Sequence, residues 1–306
     1  MTSNASPSLY SPTQKLSERS LLVIILYIPL SDMADSPPRV YLKFPDYVHS
    51  LTVHTGNIIH WNELKRKTSQ SATDELVETL GETLSTWSRN YDPEQYIGLT
   101  NIDCINHKYD DPVDKQMRKD LKVTVKILLC QLDPEGLSEA VTKVLQELRV
   151  DFLESVIVSF PSPPNEPLEL HHIKPLWNVL ERYIDSGQIV TIGVSDLDTE
   201  LLIALYAWAT IKPSINQVNL ASCCVMPQEM TAFAKENDIQ LLTHNDPKDI
   251  LPLDVCSGIL RSSGCFLDSE AWAPLWIARY SVLVKCRGVI QNKGFLSCLK
   301  RLMLAR

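Results

Sequence analysis

What this sequence lacks already narrows what it does. Its eight cysteines (Cys104, Cys130, Cys223, Cys224, Cys256, Cys265, Cys286 and Cys298) include no C-x-x-C pair and no metal-ligand spacing. That argues against a zinc ribbon and suits thiols in a reducing compartment better than a disulfide framework. No G-x-G-x-x-G turn is present, so the usual mark of an open dinucleotide-binding sheet is missing. The apolar run Leu21–Leu30 falls well short of the roughly 20 residues a spanning helix needs. Positive charge is scarce: 29 Lys and Arg stand against 37 Asp and Glu, a net charge of -8, which argues against a nucleic-acid or anionic-membrane surface. What is present is a globular composition, 44% apolar over 306 residues, enough for one large α/β domain. A cytoplasmic protein with small-molecule or protein partners is the expectation.

Residues 1–40 differ from the rest. Ser and Pro are frequent up to Arg19, and Leu21–Leu30 has the length of a signal-peptide core, but no small-residue cleavage site follows it cleanly. This stretch is expected to be a disordered or non-native leader, with Met33 as the candidate start, and residues 41–306 to form one domain.

Regular patterning sets in at Leu121. Leu121, Val123, Val125, Ile127 and Leu129 alternate with Lys122, Thr124 and Lys126 at strand period, and Asp133-Pro134 supplies a cap and first-turn proline for a following helix. Leu137, Val141, Val144, Leu145 and Leu148 recur at helical spacing before a second strand, Ser155–Phe160. The cycle repeats through a helix around Leu176–Ile184 ending near Gly187, the strand beginning at Gln188, a helix capped by Asp198, SINQVNLA, a helix after Pro227, and IQLLTH. An apolar helix near Leu275–Val284 and a strand at Arg287–Ile290 are predicted to complete the series. LTVHT (Leu51–Thr55) and the neighbourhood of Gly98–Ile105 are the earlier strands, joined by a helix carrying Leu76, Leu80, Leu84 and Trp87, whose start at Ser71–Asp74 has capping-box spacing. Strict alternation demands parallel strands, and a (β/α)8 barrel is preferred to an open sheet.

Three segments carry a family resemblance: VTIGVSDLD (Val190–Asp198), NQVNLASCCVMP (Asn216–Pro227) and DIQLLTHNDPKD (Asp238–Asp249). In order and spacing they resemble the second half of an aldo-keto reductase barrel and, within that superfamily, the regulatory (modifier) subunits of glutamate-cysteine ligase. HTGNIIHW (His54–Trp61) resembles the start of those subunits. The resemblance implies a non-catalytic protein in a heterodimer with the glutamate-cysteine ligase catalytic subunit, improving its use of glutamate and relaxing feedback inhibition by glutathione. A divergent NADPH-dependent reductase is the alternative.

In a barrel, chemistry sits at the C-terminal strand ends. Against the reductase pattern, Lys126 falls where the family lysine stands, Ser159 replaces the substrate-orienting histidine, and no Asp-x-x-x-x-Tyr pair is matched in Asn101–Asp111. Tyr109 reads as an exposed loop tyrosine. Without a matched proton donor, hydride transfer to a carbonyl has no general acid. Ser195, Asp196 and Gln217 stand where the family grips a nicotinamide amide and Lys293 where it anchors the adenosine phosphate, yet Asp for Asn removes a donor. No cofactor is required on this reading, and NADPH binding is the lesser expectation. Cys223 and Cys224 are candidates for partner contact or redox chemistry, with plain packing as the alternative. His171 and His172 lack a third ligand and read as helix-start polarity. His244 is expected to face the pocket or to pair with Asp246.

Overall fold

Local chemistry starts and stops the helices where the sequence places caps. The computed structural model describes residues 26–28, 39–61, 71–219, 226–263 and 267–302. Ser71 and Asp74 form a reciprocal capping box at the head of α1 (Ala72–Arg89). Asp133 caps α2 (Pro134–Leu148), with Pro134 in its first turn. The next helix, α3 (Leu170–Asp185), is followed by Gly187 at φ +74°, a conformation glycine adopts without strain. The Asp198 side chain accepts from Leu201 N at the start of α4 (Thr199–Trp208). Two more helices follow, α5 (Gln228–Glu236) and α6 (Leu253–Ser262). Each such cap is worth about 1 kcal/mol.

Two short strands, β1 (Leu26–Ile28) and β2 (Arg39–Tyr41), pair antiparallel as a small sheet of their own. The main sheet contains β3 (Ser50–His54), β4 (Asn101–Ile105), β5 (Leu121–Leu129), β6 (Leu153–Ser159), β7 (Ile189–Ser195), β8 (Ile215–Asn219), β9 (Gln240–His244), β10 (Trp272–Val284) and β11 (Val289–Arg301). Their order is β4-β3-β11-β10-β5-β6-β7-β8-β9. From β5 to β9 every neighbour is parallel, as strand–helix alternation requires. The β10–β11 hairpin is antiparallel to both of its outer neighbours.

The hairpin is where the structure departs from the sequence reading. Leu275–Val284 is a strand instead of a helix, and Arg287 and Gly288 form its turn, their N–H groups both directed at Val284 O. Gly288 takes φ +63° there. Physically, the first half of β10, Trp272–Ala278, is buried on both faces and its apolar residues run continuously; a two-residue alternation appears only beyond it, where Arg279 and Ser281 are half-buried beside Tyr280 and Val282. The hairpin sits between β3 and β5, and no strand pair joins β4 to β9 among the described residues.

Two cores cover the two faces of the sheet. Helix α1 lies against one face of the sheet and α2 through α5 against the other. Accordingly Leu137, Val141 and Val144 of α2, Trp177 and Leu180 of α3 and Leu205 of α4 pack with Val123, Val125 and Val156 in one core. Leu76, Leu80 and Leu84 of α1 join Cys256, Ile259 and Leu260 of α6 with Val53, Ile277 and Phe295 in the other. The sheet curls around this second core. Asp246, just past β9, hydrogen-bonds Lys126 on β5 and Arg279 on β10, the fourth and fifth strands away in the sheet order. No helix among the described residues is long and apolar enough to cross a membrane.

Candidate functional site

On the concave side of the curl, Lys126 of β5 and Arg279 of β10 are direct cross-strand neighbours. Like charges placed opposite one another repel, and here a single carboxylate lies between them. Asp246 accepts from Lys126 Nζ at 2.8 Å and from Arg279 Nη1 and Nη2 at 2.7 and 2.9 Å, the last two as a bidentate fork. Lys126 and Asp246 are buried, with side chains only 5% and 3% exposed. Burial holds the Lys126 ammonium below its ordinary pKa despite the Asp246 contact, which acts to raise it. Burial also pushes the Asp246 carboxyl up, but hydrogen bonds from His244, Arg279 and Lys126 outweigh it and hold the group well below the usual carboxylate range.

His244 ends β9 and extends the cluster. Its Nδ1 lies 3.3 Å from Asp246 Oδ2 and its Nε2 lies 3.0 Å from Asp196 Oδ1, so a protonated ring pairs with two carboxylates. Burial lowers the imidazole pKa, and the contacts to Asp196 and Asp246 more than reverse that, leaving it raised. Asp196 follows β7 in the left-handed region at φ +63°, which Asp tolerates better than most residues. There its N–H donates to Gln217 O at 2.8 Å. Its side chain accepts from Ser195 Oγ at 3.0 Å and from Asn219 N at 3.0 Å. Asn219 also donates its side-chain amide to Asp246 O at 2.7 Å. Gln217 Oε1 is buried without a hydrogen-bond partner among the described residues.

Ser159 ends β6 in register with Leu128 and Ser195. It lines a cavity of about 490 Å³ with Cys130, Phe160, Lys248, Asp249 and Leu251. Burial pushes the Cys130 thiol up to about 12, so the thiolate is not formed at neutral pH. The segment after Asp246 walls this cavity, and the Asp246 contacts tie it down.

Other sequence-predicted residues lie elsewhere. Lys293 is inside β11, cross-strand from Ser281 and ion-paired with Glu75 of α1, four strands from β7 in the sheet order. Tyr109 is half-buried, not exposed as the sequence suggested: its ring packs on Trp61 at 5.0 Å between centroids, and its carbonyl accepts from Asn57 N. Asp103 of β4 binds Lys143 Nζ at 2.7 Å and His54 Nε2 at 3.3 Å. Burial raises its pKa, but these two partners bring it down to about 2. His172 accepts from Glu169 N as a cap at the head of α3 and pairs with Glu166, while His171 stands beside Glu169. No cluster of metal-ligating side chains occurs among the described residues. Cys223 and Cys224 lie outside the described residues.

Asp103 and Tyr109 do not approach Lys126. β4, with Asp103 and the Tyr109 turn beyond it, is separated from Lys126 on β5 by β3, β11 and β10, about 19 Å along the sheet at the usual strand spacing. The carboxylate on Lys126 is Asp246 instead. Arg279 is the member of the cluster that sequence reasoning missed. The available signal was a lone arginine in the apolar run LWIARYSVLV, since a charge between buried neighbours needs a partner.

Comparison with known proteins identifies the family. The aldo/keto reductase family model matches residues 56–245. The glutamate–cysteine ligase regulatory subunit of Homo sapiens is 40% identical over 257 residues, covering 82% of this chain and 93% of that protein. The chain belongs to the aldo/keto reductase family, among the glutamate–cysteine ligase regulatory subunits. More distant members of the aldo/keto reductase family align over less. A putative regulatory subunit of Schizosaccharomyces pombe is 25% identical over 53% of this chain and 63% of its own length. Aldo-keto reductase family 4 member C11 of Arabidopsis thaliana is 30% identical over 40% of this chain and 45% of its own.

Proposed function

We propose that this aldo/keto reductase family member is a non-catalytic regulatory subunit that binds the glutamate-cysteine ligase catalytic subunit, improves its use of glutamate and relaxes its inhibition by glutathione. The observation that carries the reading is the replacement of the reductase constellation by a closed charge cluster. Lys126 is neutralised by Asp246 and crowded by Arg279, while Asp103 and Tyr109 belong to the far side of the hairpin. A lysine so placed cannot tune a tyrosine as general acid.

The nicotinamide grip is likewise consumed from within. A carboxamide needs a donor for its oxygen as well as acceptors for its NH2 group. Ser195 donates to Asp196, Asp196 is occupied by His244 and Asn219, and Lys293 is held by Glu75. Of these side chains only the Gln217 amide is left without a hydrogen-bond partner among the described residues, and one amide does not make the grip of several groups that a nicotinamide needs, so on this reading no cofactor is required. The scaffold then acts on its partner by binding one conformation better than another, which shifts that equilibrium by its differential affinity, typically ~1–3 kcal/mol.

The test is kinetic. Adding the purified chain to the catalytic subunit is expected to lower the Michaelis constant for glutamate and raise the inhibition constant for glutathione. A folded chain that neither binds the catalytic subunit nor alters either constant at micromolar concentration removes this reading.

A further inference from the structure

His54, the last residue of β3, is a buried titratable group that lies outside the charge cluster around Asp246. Its side chain is 6% exposed, yet both ring nitrogens meet carboxylates: Nδ1 lies 2.8 Å from Glu147 Oε2 and Nε2 lies 3.3 Å from Asp103 Oδ1. The two carboxylates come from different elements, Glu147 from α2 and Asp103 from β4. One imidazole thus joins a helix to the outermost strand of the sheet, which pairs with β3 alone among the described residues. The turn that follows β4 begins at the same place, since Asn106 N donates to His54 O at 3.1 Å.

Sequence spacing on α2 prepares this contact. Glu139, Lys143 and Glu147 recur at i, i+4 and i+8 and so share one stripe of the helix. The stripe is turned toward the sheet. Glu139 accepts from Trp276 Nε1 of β10 at 3.2 Å and lies 3.8 Å from Cys298 Sγ of β11. Lys143 Nζ reaches both Asp103 oxygens, at 2.7 and 2.9 Å, and Glu147 meets the His54 ring. The helix lies across the hairpin and ends on the β3–β4 pair.

The number of ring protons decides how this joint behaves. An imidazolium has two N–H donors and serves both carboxylates, whereas a neutral imidazole has one. With the ring protonated, His54 and Lys143 balance Asp103 and Glu147. The other titratable groups around the joint are Glu139 on α2, Cys298 on β11, Tyr280 on β10 and, near Tyr280, Asp110 and Asp111. Burial raises the pKa of the Cys298 thiol and the Tyr280 hydroxyl, so both stay neutral, and Arg149 is paired with Asp110. Burial lowers the His54 pKa, and the contacts to Asp103 and Glu147 more than reverse that, leaving it raised. The doubly paired ring is therefore complete below the ordinary imidazole value near 6.5 and is lost as pH rises through the folded value.

Once the ring is neutral, one carboxylate must face a bare lone pair. Glu147 is 12% exposed and has the ring as its partner, while Asp103 is 42% exposed and keeps Lys143. The remaining proton accordingly stays on Nδ1 toward Glu147, and Asp103 is the side released.

We propose that His54 is a pH-operated clasp. Protonated, it fastens β4 and the turn beyond it to β3 and α2; neutral, it lets go of Asp103, and the outermost strand loosens while the interior of the sheet stays closed.

The experiment is hydrogen–deuterium exchange of the full chain, read by mass spectrometry at about pH 6 and about pH 8.5 with intrinsic exchange rates divided out. It compares peptides from β4 with peptides from the interior strand β6. Wild-type β4 is expected to lose about tenfold in protection relative to β6 between the two conditions. His244→Gln, which alters the other raised histidine, is expected to keep that loss. His54→Gln is expected to show weak β4 protection at both pH values. Asp103→Asn covers the case in which His54→Gln does not fold: its amide can accept from a charged ring or donate to a neutral one, so its β4 protection is expected not to change with pH. Wild-type β4 that tracks β6 at both pH values overturns the clasp. So does a loss that persists in folded His54→Gln or Asp103→Asn, or one that disappears in His244→Gln.

Discussion

Asp246 is a buried carboxylate with three cationic or potentially cationic partners, Lys126, Arg279 and His244. Removing it strands Lys126 and Arg279 side by side without a counter-charge. Asp246→Ala is therefore expected to cost about 3–5 kcal/mol in urea unfolding. Lys126→Met is expected to cost clearly less, since Arg279 still neutralises Asp246. The pH response follows from the direction of the His244 shift. Its pKa is raised in the fold, so its contribution is fully present below the ordinary imidazole value near 6.5 and is lost as pH rises through the folded value. The stability gap between wild type and His244→Gln is thus expected to be widest below about pH 6.5 and to close in alkaline buffer, read from melting temperatures across pH. His54, held by Glu147 and Asp103, shifts in the same direction, which is why the difference between the two proteins is the informative quantity. Much of this cluster was legible beforehand. Lys126, Ser195, Asp196, His244 and Asp246 all follow from looking at the C-terminal ends of parallel strands. Arg279 did not, because the apolar run that holds it reads as a helix and the strand alternation is confined to the short stretch from Ala278 to Leu283.

At the level of elements, the β10–β11 hairpin depends on close backbone approach. A Cβ on Gly294 would meet Gly56 O and the Tyr280 hydroxyl, both within 2.3 Å. Gly56 is itself pinned beneath Tyr109 O, also within 2.3 Å of where its own Cβ would lie. Neither neighbour can yield without moving the HTGN turn, where Thr55 and Phe295 exchange hydrogen bonds and Asn57 ties Gln291 to Asp111. Gly294→Ala is expected to destabilise the chain by about 2 kcal/mol or more. Gly258, inside α6 with open space around it, supplies the contrast: Gly258→Ala is expected to stabilise by up to about 1 kcal/mol, both read from chemical denaturation. Caps and turns were the readable features here. Ser71–Asp74, Asp133-Pro134, Gly187 and Asp198 act locally and appear in the fold as the sequence placed them. A strand buried on both faces is a tertiary outcome, and an apolar run such as PLWIARYSVLV cannot reveal by periodicity whether helices will cover one side or two.

On the scale of the whole molecule, the aldo/keto reductase family scaffold is retained while the ring order is broken between β3 and β5. If the nicotinamide grip is spent on internal contacts, millimolar NADPH should leave the calorimetric melting temperature of the chain unchanged. A concentration-dependent rise in melting temperature would show that a nucleotide site survives. The position of the hairpin bears on how the protein is made. Its two strands are the last of the described chain to leave the ribosome, yet they lie in the middle of the sheet, between β3 and β5. Until they arrive, β3 and β5 each present an unpaired edge, and the two parts of the sheet have no strand in common. Synthesis proceeds at roughly 5–20 residues per second, so the more than 140 residues from Leu129 to Trp272 leave those edges waiting several seconds. Completion of the sheet is thereby coupled to emergence of the hairpin: a nascent chain stopped before Trp272 keeps two sticky edges and is a substrate for chaperones or aggregation, never a partly working subunit.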